Sequence, residues 1–129
     1  MSPIAQPQVV LARQSPPHCT ARAATAYPLD LRLVEGALHR IGSARDCMEE
    51  GADREKSLYL QSAVLLVGQL RSSLDLAAGC PVAVNLDELC HYVSRQLMSA
   101  DRWDDMGTLD EVSDLLREVR SAWTTLSYV

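Results

Sequence analysis

The stretch "QLRSSLDLAAGCPVAVNLDELCHY" (69–92) decides the fold. Leu70 and Leu74 close one apolar stripe at helical spacing. Val82, Leu86, Leu89 and Val93 open another. Between them stand Ser72, Ser73 and Asp75, then Gly79-Cys80-Pro81. A proline fits the first turn of a helix, where its missing N–H costs nothing. An aspartate near a helix C-terminus is electrostatically unfavourable, so Asp75 reads as a turn residue. The stretch is therefore helix, corner, helix.

The same pattern extends outward in both directions. Upstream, a helix over about 53–76 starts with Asp53 as N-cap. Its stripe is Leu60, Ala63, Val67, Leu70 and Leu74, but the run "AVLLVGQL" (63–70) adds Val64, Leu65 and Leu66 off that stripe. A helix apolar around most of its girth is covered on more than one side, by the bundle or by a partner. An earlier helix over about 29–50 follows Pro28. Leu31, Val34, Leu38, Ile41 and Met48 give its stripe, interrupted by Arg45, and Gly51 suits a left-handed stop.

Downstream, the third helix covers about 81–100, with Leu97 and Ala100 completing its stripe. After the turn "DRWDDMG" (101–107), Thr108 and Glu111 form a capping box. A fourth helix over about 108–126 carries Leu109, Val112, Leu116, Val119, Trp123 and Leu126. No stretch sustains the period-two alternation of a strand. Short turns between long helices predict an all-α, antiparallel up-down four-helix bundle over 28–129. Residues 1–27, with Pro3, Pro7, Pro16 and Pro17, read as a flexible arm whose apolar patch is "VVLA" (9–12).

Composition narrows the function. The 129-residue chain carries a net charge of −5, which disfavours binding to a phosphate backbone. No apolar run approaches the roughly 18 residues of a membrane span. The N-terminus lacks the basic and apolar regions of a signal peptide, so the expected address is cytoplasmic. The four cysteines, Cys19, Cys47, Cys80 and Cys90, match no zinc spacing and read as reduced thiols.

Several chemistries fail on spacing. A di-iron bundle requires two inward Glu-x-x-His motifs, whereas this chain has one, Glu88 to His91, and His91 lies off the core stripe. No nucleophile and base pair by spacing, and no Gly-rich loop follows a strand. The expectation is a protein without catalysis, cofactor or metal. The rival reading is a histidine phosphotransfer domain using His39 in "HRIGSA" (39–44), which resembles such domains in size and architecture. Those domains have His-x-x-Lys-Gly, and here Gly42 comes one residue early with no lysine. One residue rotates a helix position by about 100°.

"TAYPLDLRLVEGAL" (25–38), "SSLD" (72–75), "NLDELCHYVSRQL" (85–97) and "LDEVSDLLREVRSAW" (109–123) follow one another in an order that resembles the flagellar secretion chaperone family FliS. The likeness covers about residues 18–126. The chain departs from the family pattern at His18, where a tyrosine is usual, at Tyr27, where a serine is common, and at Cys90, where an aromatic is usual. The resemblance implies a cytoplasmic, non-enzymatic chaperone that binds the disordered C-terminal segment of flagellin. It would prevent early polymerisation and assist delivery to the flagellar type III export gate. A segment that folds on binding lays apolar anchors into a long groove. The expected groove residues are Leu29, Leu33, Leu58, Leu65 and Leu66, with Val9, Val10 and Leu11 as a displaceable cover.

Overall fold

The computed structural model describes Pro7 and residues 31–74 and 81–127. These form four helices: α1 (Leu31–Glu50), α2 (Asp53–Ser72), α3 (Pro81–Trp103) and α4 (Met106–Ser127). α1 packs on α2, α2 on α3, α3 on α4, and α4 closes the ring on α1. Ion pairs fix the directions. Arg45, late in α1, meets Asp110, early in α4, while Glu35 and Arg120 meet at the opposite ends of the same two helices. Lys56 at the start of α2 reaches Asp104 just after α3, and Arg71 at its end reaches Asp87 near the start of α3. Neighbours therefore run antiparallel, as expected of a four-helix bundle.

The stripes read from the sequence form most of the core. Leu60, Ala63, Val67 and Leu70 of α2 are buried, as are Leu86, Leu89, Val93, Leu97 and Ala100 of α3. Leu109, Val112, Leu116, Val119 and Trp123 do the same for α4. The stripe of α1 needs correction. Its buried face is Val34, Ala37, Ile41, Ala44 and Cys47, while Leu31, Leu38 and Met48 pack half-buried at the margins. Small side chains at the centre allow a neighbouring helix close, and the longer ones fill the seams. Gly36 belongs to this close approach, because a Cβ there would lie 3.1 Å from Leu66 Cδ1. Arg45 interrupts nothing, since it lies on the α4 side with Asp110 and Glu49.

The helix ends confirm some signals and shift others. Gly51 has φ 74°. The Ala52 N–H donates to Cys47 O (2.9 Å) and the Gly51 N–H to Met48 O (3.4 Å), the paired bonds of a Schellman stop. Asp53 is the first helical residue of α2 rather than its cap; Ala52 holds the cap position without a side-chain bond. Asp53 and Glu55 still favour that terminus by charge. Ser72 and Ser73 close α2 by donating their hydroxyls to Gly68 O (2.9 Å) and Leu70 O (2.6 Å).

Thr108 is not the cap of α4. The helix begins at Met106, and Asp105 accepts the Thr108 N–H (3.1 Å) and hydroxyl (2.8 Å). Those bonds hold its carboxyl below the ordinary 3.8. Glu111, freed from a capping box, accepts the Tyr92 hydroxyl at 2.5 Å.

Candidate functional site

α2 presents three apolar faces, and the structure sends each to a different place. Val67 and its stripe enter the core. Leu66 packs half-buried beside Gly36 of α1. Leu65 is 68% exposed and Leu58, two turns earlier on the same side, is 58% exposed. Residues seven apart lie on one helix face, so these two leucines form a short apolar strip open to solvent.

Leu65 borders a groove of about 340 Å³ between α2 and α3. Leu60 and Leu97 form its buried floor, while Val64, Leu65 and the exposed Met98 rise around it. Gln61 and Asp101 are its polar lining. Asp101 is held in place, accepting the Ser57 hydroxyl at 2.7 Å and lying 3.4 Å from the Lys56 ammonium. Further along the same interface, Asp87 takes both arms of Arg71 at 2.6 and 3.4 Å, and His91 Nδ1 lies 3.3 Å from Arg71. Ion pairs thus pin α2 to α3 on either side of an apolar opening.

The expected groove residues separate. Leu65 lines the groove, and Leu58 stands exposed beyond it on the same helix. Leu33 and Leu66 are half-buried against the core. Leu29 and the arm patch Val9, Val10 and Leu11 lie outside the described residues. The sequence reading missed Val64 as a wall, and it missed Gln61, Met98 and Asp101. Met98 carried a usable signal, since it follows the stripe residue Leu97 and puts an apolar side chain on an otherwise polar face.

The groove has the chemistry of a binding surface. Its lining holds no thiol, hydroxyl or imidazole. Burial pushes the Cys90 thiol up to about 12, and Cys47 is raised for the same reason. A protonated, buried thiol is a poor nucleophile. His39, the residue of the rival reading, is exposed on α1 beside Arg40 and Gly42. Among the described residues, no group of three His, Cys, Asp or Glu side chains is placed to hold a metal ion. No helix there is long and apolar enough to cross a membrane.

Comparison with known proteins places these features in context. Residues 13–128 match the model of a family described as flagellar protein FliS. A flagellar secretion chaperone, FliSB, from Pseudomonas aeruginosa is 40% identical over 96 residues, 74% of this chain and 76% of that protein. The flagellar secretion chaperone FliS of Vibrio cholerae is 32% identical over 101 residues, 78% of this chain and 74% of the relative. That of Salmonella typhimurium is 31% identical over 106 residues, 81% and 78% respectively.

Proposed function

The chain belongs to the flagellar protein FliS family, and from that premise we propose that it is a cytoplasmic export chaperone for flagellin. It binds the disordered C-terminal segment of flagellin, prevents premature polymerisation and helps present the subunit to the flagellar type III export gate. It acts by binding alone.

The observation that carries this reading is the open apolar strip of Leu58 and Leu65 beside the α2–α3 groove. A helical or extended segment folding onto the bundle would lay apolar anchors there. Leu58 and Leu65 are both more than half exposed on one face of α2, and a partner that covers them supplies burial that the free bundle lacks. Covering each contributes about 1–2 kcal/mol. Leu33 and Leu66, half-buried against the core, extend the proposed contact, and Leu29 is proposed to join it. Val9, Val10 and Leu11 are the proposed cover in the free chaperone.

The test is co-purification and calorimetry with flagellin that keeps or lacks its C-terminal segment. The full-length subunit is expected to bind and the truncated one to fail. L58Q/L65Q should weaken binding about ten- to a hundredfold while the far-ultraviolet dichroism stays helical. Equal binding of both flagellins would overturn the C-terminal assignment. Undiminished binding by the folded double variant would overturn the groove.

A further inference from the structure

The protein concentrates its negative charge at one pole of the bundle, where the α1–α2 and α3–α4 turns lie. Residues 45–56 and 101–111 hold ten Asp or Glu and four Lys or Arg, a net −6. The whole chain carries −5, so everything outside these two segments is net +1. Internal pairs use part of the acidity: Arg45 bridges Glu49 and Asp110, and Lys56 holds Asp101 and Asp104. An acidic excess remains.

Within that pole stand two apolar side chains that the core does not use. Trp103 is 69% exposed and Met106 is 36% exposed, whereas Trp123 is 3% exposed. They flank the Asp104-Asp105 turn. The ring of Trp103 already carries a cation, with the Arg102 guanidinium 5.1 Å from its centroid. Neither residue lines the α2–α3 groove. Tryptophan and methionine are enriched at the centres of protein interfaces, and an indole attracts ammonium and guanidinium groups.

We propose that Trp103 and Met106 form the apolar centre of a second docking surface, whose occupant is a basic protein segment. Lys or Arg side chains of that segment lie against the acidic rim and the indole, and an apolar side chain covers Met106. Charge selects this occupant. A second copy would set two acidic poles against each other, and nucleic acid would be repelled. Asp101 borders both surfaces but is held by Ser57 and Lys56, and Trp103 and Met106 stand outside the groove, so both surfaces can be filled at once.

The experiment uses the full chain and a short amphipathic Leu/Lys/Arg peptide, with a Leu/Glu peptide as control. Binding is followed by tryptophan emission and by calorimetry at low and moderate salt, and self-association by sedimentation. The basic peptide is expected to bind and blue-shift the emission, and the acidic one to do neither. W103Q and M106Q should each weaken that binding about fivefold or more, while W103Q binds the flagellin C-terminal segment within about twofold of wild type. Three results would each overturn the proposal: no binding of the basic peptide, equal binding by W103Q, or self-association that disappears in W103Q.

Discussion

Lys56, on the first turn of α2, donates its ammonium to the backbone carbonyl of Asp101 on the last turn of α3, at 2.9 Å. The same ammonium donates to the Asp104 carboxylate. Asp104 has φ 50° and occupies the left-handed position that ends α3, with the Asp105 N–H returning to Ala100 O at 3.2 Å. A cation therefore satisfies a helix C-terminus directly, where the macrodipole favours positive charge. Burial opposes the charge on Lys56, yet its bonds to Asp104 and Asp101 outweigh that and raise its pKa.

Removing this clamp should loosen the α2–α3 corner. K56M keeps the apolar stem but loses every donor, and is expected to cost about 2 kcal/mol in urea unfolding. D104N tolerates the left-handed backbone and loses only the charge, so it should cost less than D104A, which also strains φ. A neutral K56M, or D104N as damaging as D104A, would show that the clamp does not hold the corner.

The Asp105 cap predicts a pH dependence. Its folded carboxyl titrates below the ordinary 3.8 because it accepts two bonds from Thr108. The stability it supplies is therefore complete above the unfolded value and is lost as pH falls through the folded one. D105A should cost about 1 kcal/mol near neutral pH. The gap between wild type and D105A should narrow progressively as the pH drops below 3.8. A gap that stays constant into that acid range would rule out the charged cap.

The Tyr92 phenol should resist ionisation in the folded protein. Burial and its bond to Glu111 push it up to about 12. In the native protein, the Tyr92 contribution to absorbance at the tyrosinate band should appear at higher pH than it does in urea. Y92F should abolish that difference and destabilise the bundle by about 1 kcal/mol. The folded phenol resists ionisation, so its contribution is full below the unfolded pKa and declines as pH rises toward 12. Identical native and unfolded titrations would remove the Tyr92–Glu111 bond from the account.

Two helical glycines separate backbone cost from packing. A Cβ at Gly42 meets nothing within 4 Å, whereas one at Gly36 meets Leu66 Cδ1 at 3.1 Å. G42A should stabilise the protein by about 0.5–1 kcal/mol through helix propensity. G36A should gain less, or lose stability, because Leu66 must move. Thermal melts of the two variants decide it; an equal gain from both would mean that α1 and α2 are not in tight contact at Gly36.

Much of the bundle was legible because its signals are local. Apolar residues three and four apart marked the core faces of α2, α3 and α4, and Pro81 and Gly51 marked a start and a stop. Part of the groove was legible too: Leu65 stood out because it lies off the stripe of an over-apolar helix. Met98 was harder to see, because one apolar residue on a polar face becomes a wall only when another helix stands beside it.

By itself, the sequence determined four helices, most of their buried stripes and the break between the end of α2 and the start of α3 at Pro81, since backbone geometry and side-chain period act within a few residues. Only the tertiary structure decided which of α2's apolar faces would meet the core, α1 or solvent. It alone placed Ala37 and Ala44, rather than Leu38, at the centre of α1, because helix approach rewards small side chains. It alone buried Lys56, whose partners at Asp101 and Asp104 lie 45 and 48 residues away. A charge can enter the interior only where the fold delivers its partner, and no local pattern encodes that meeting.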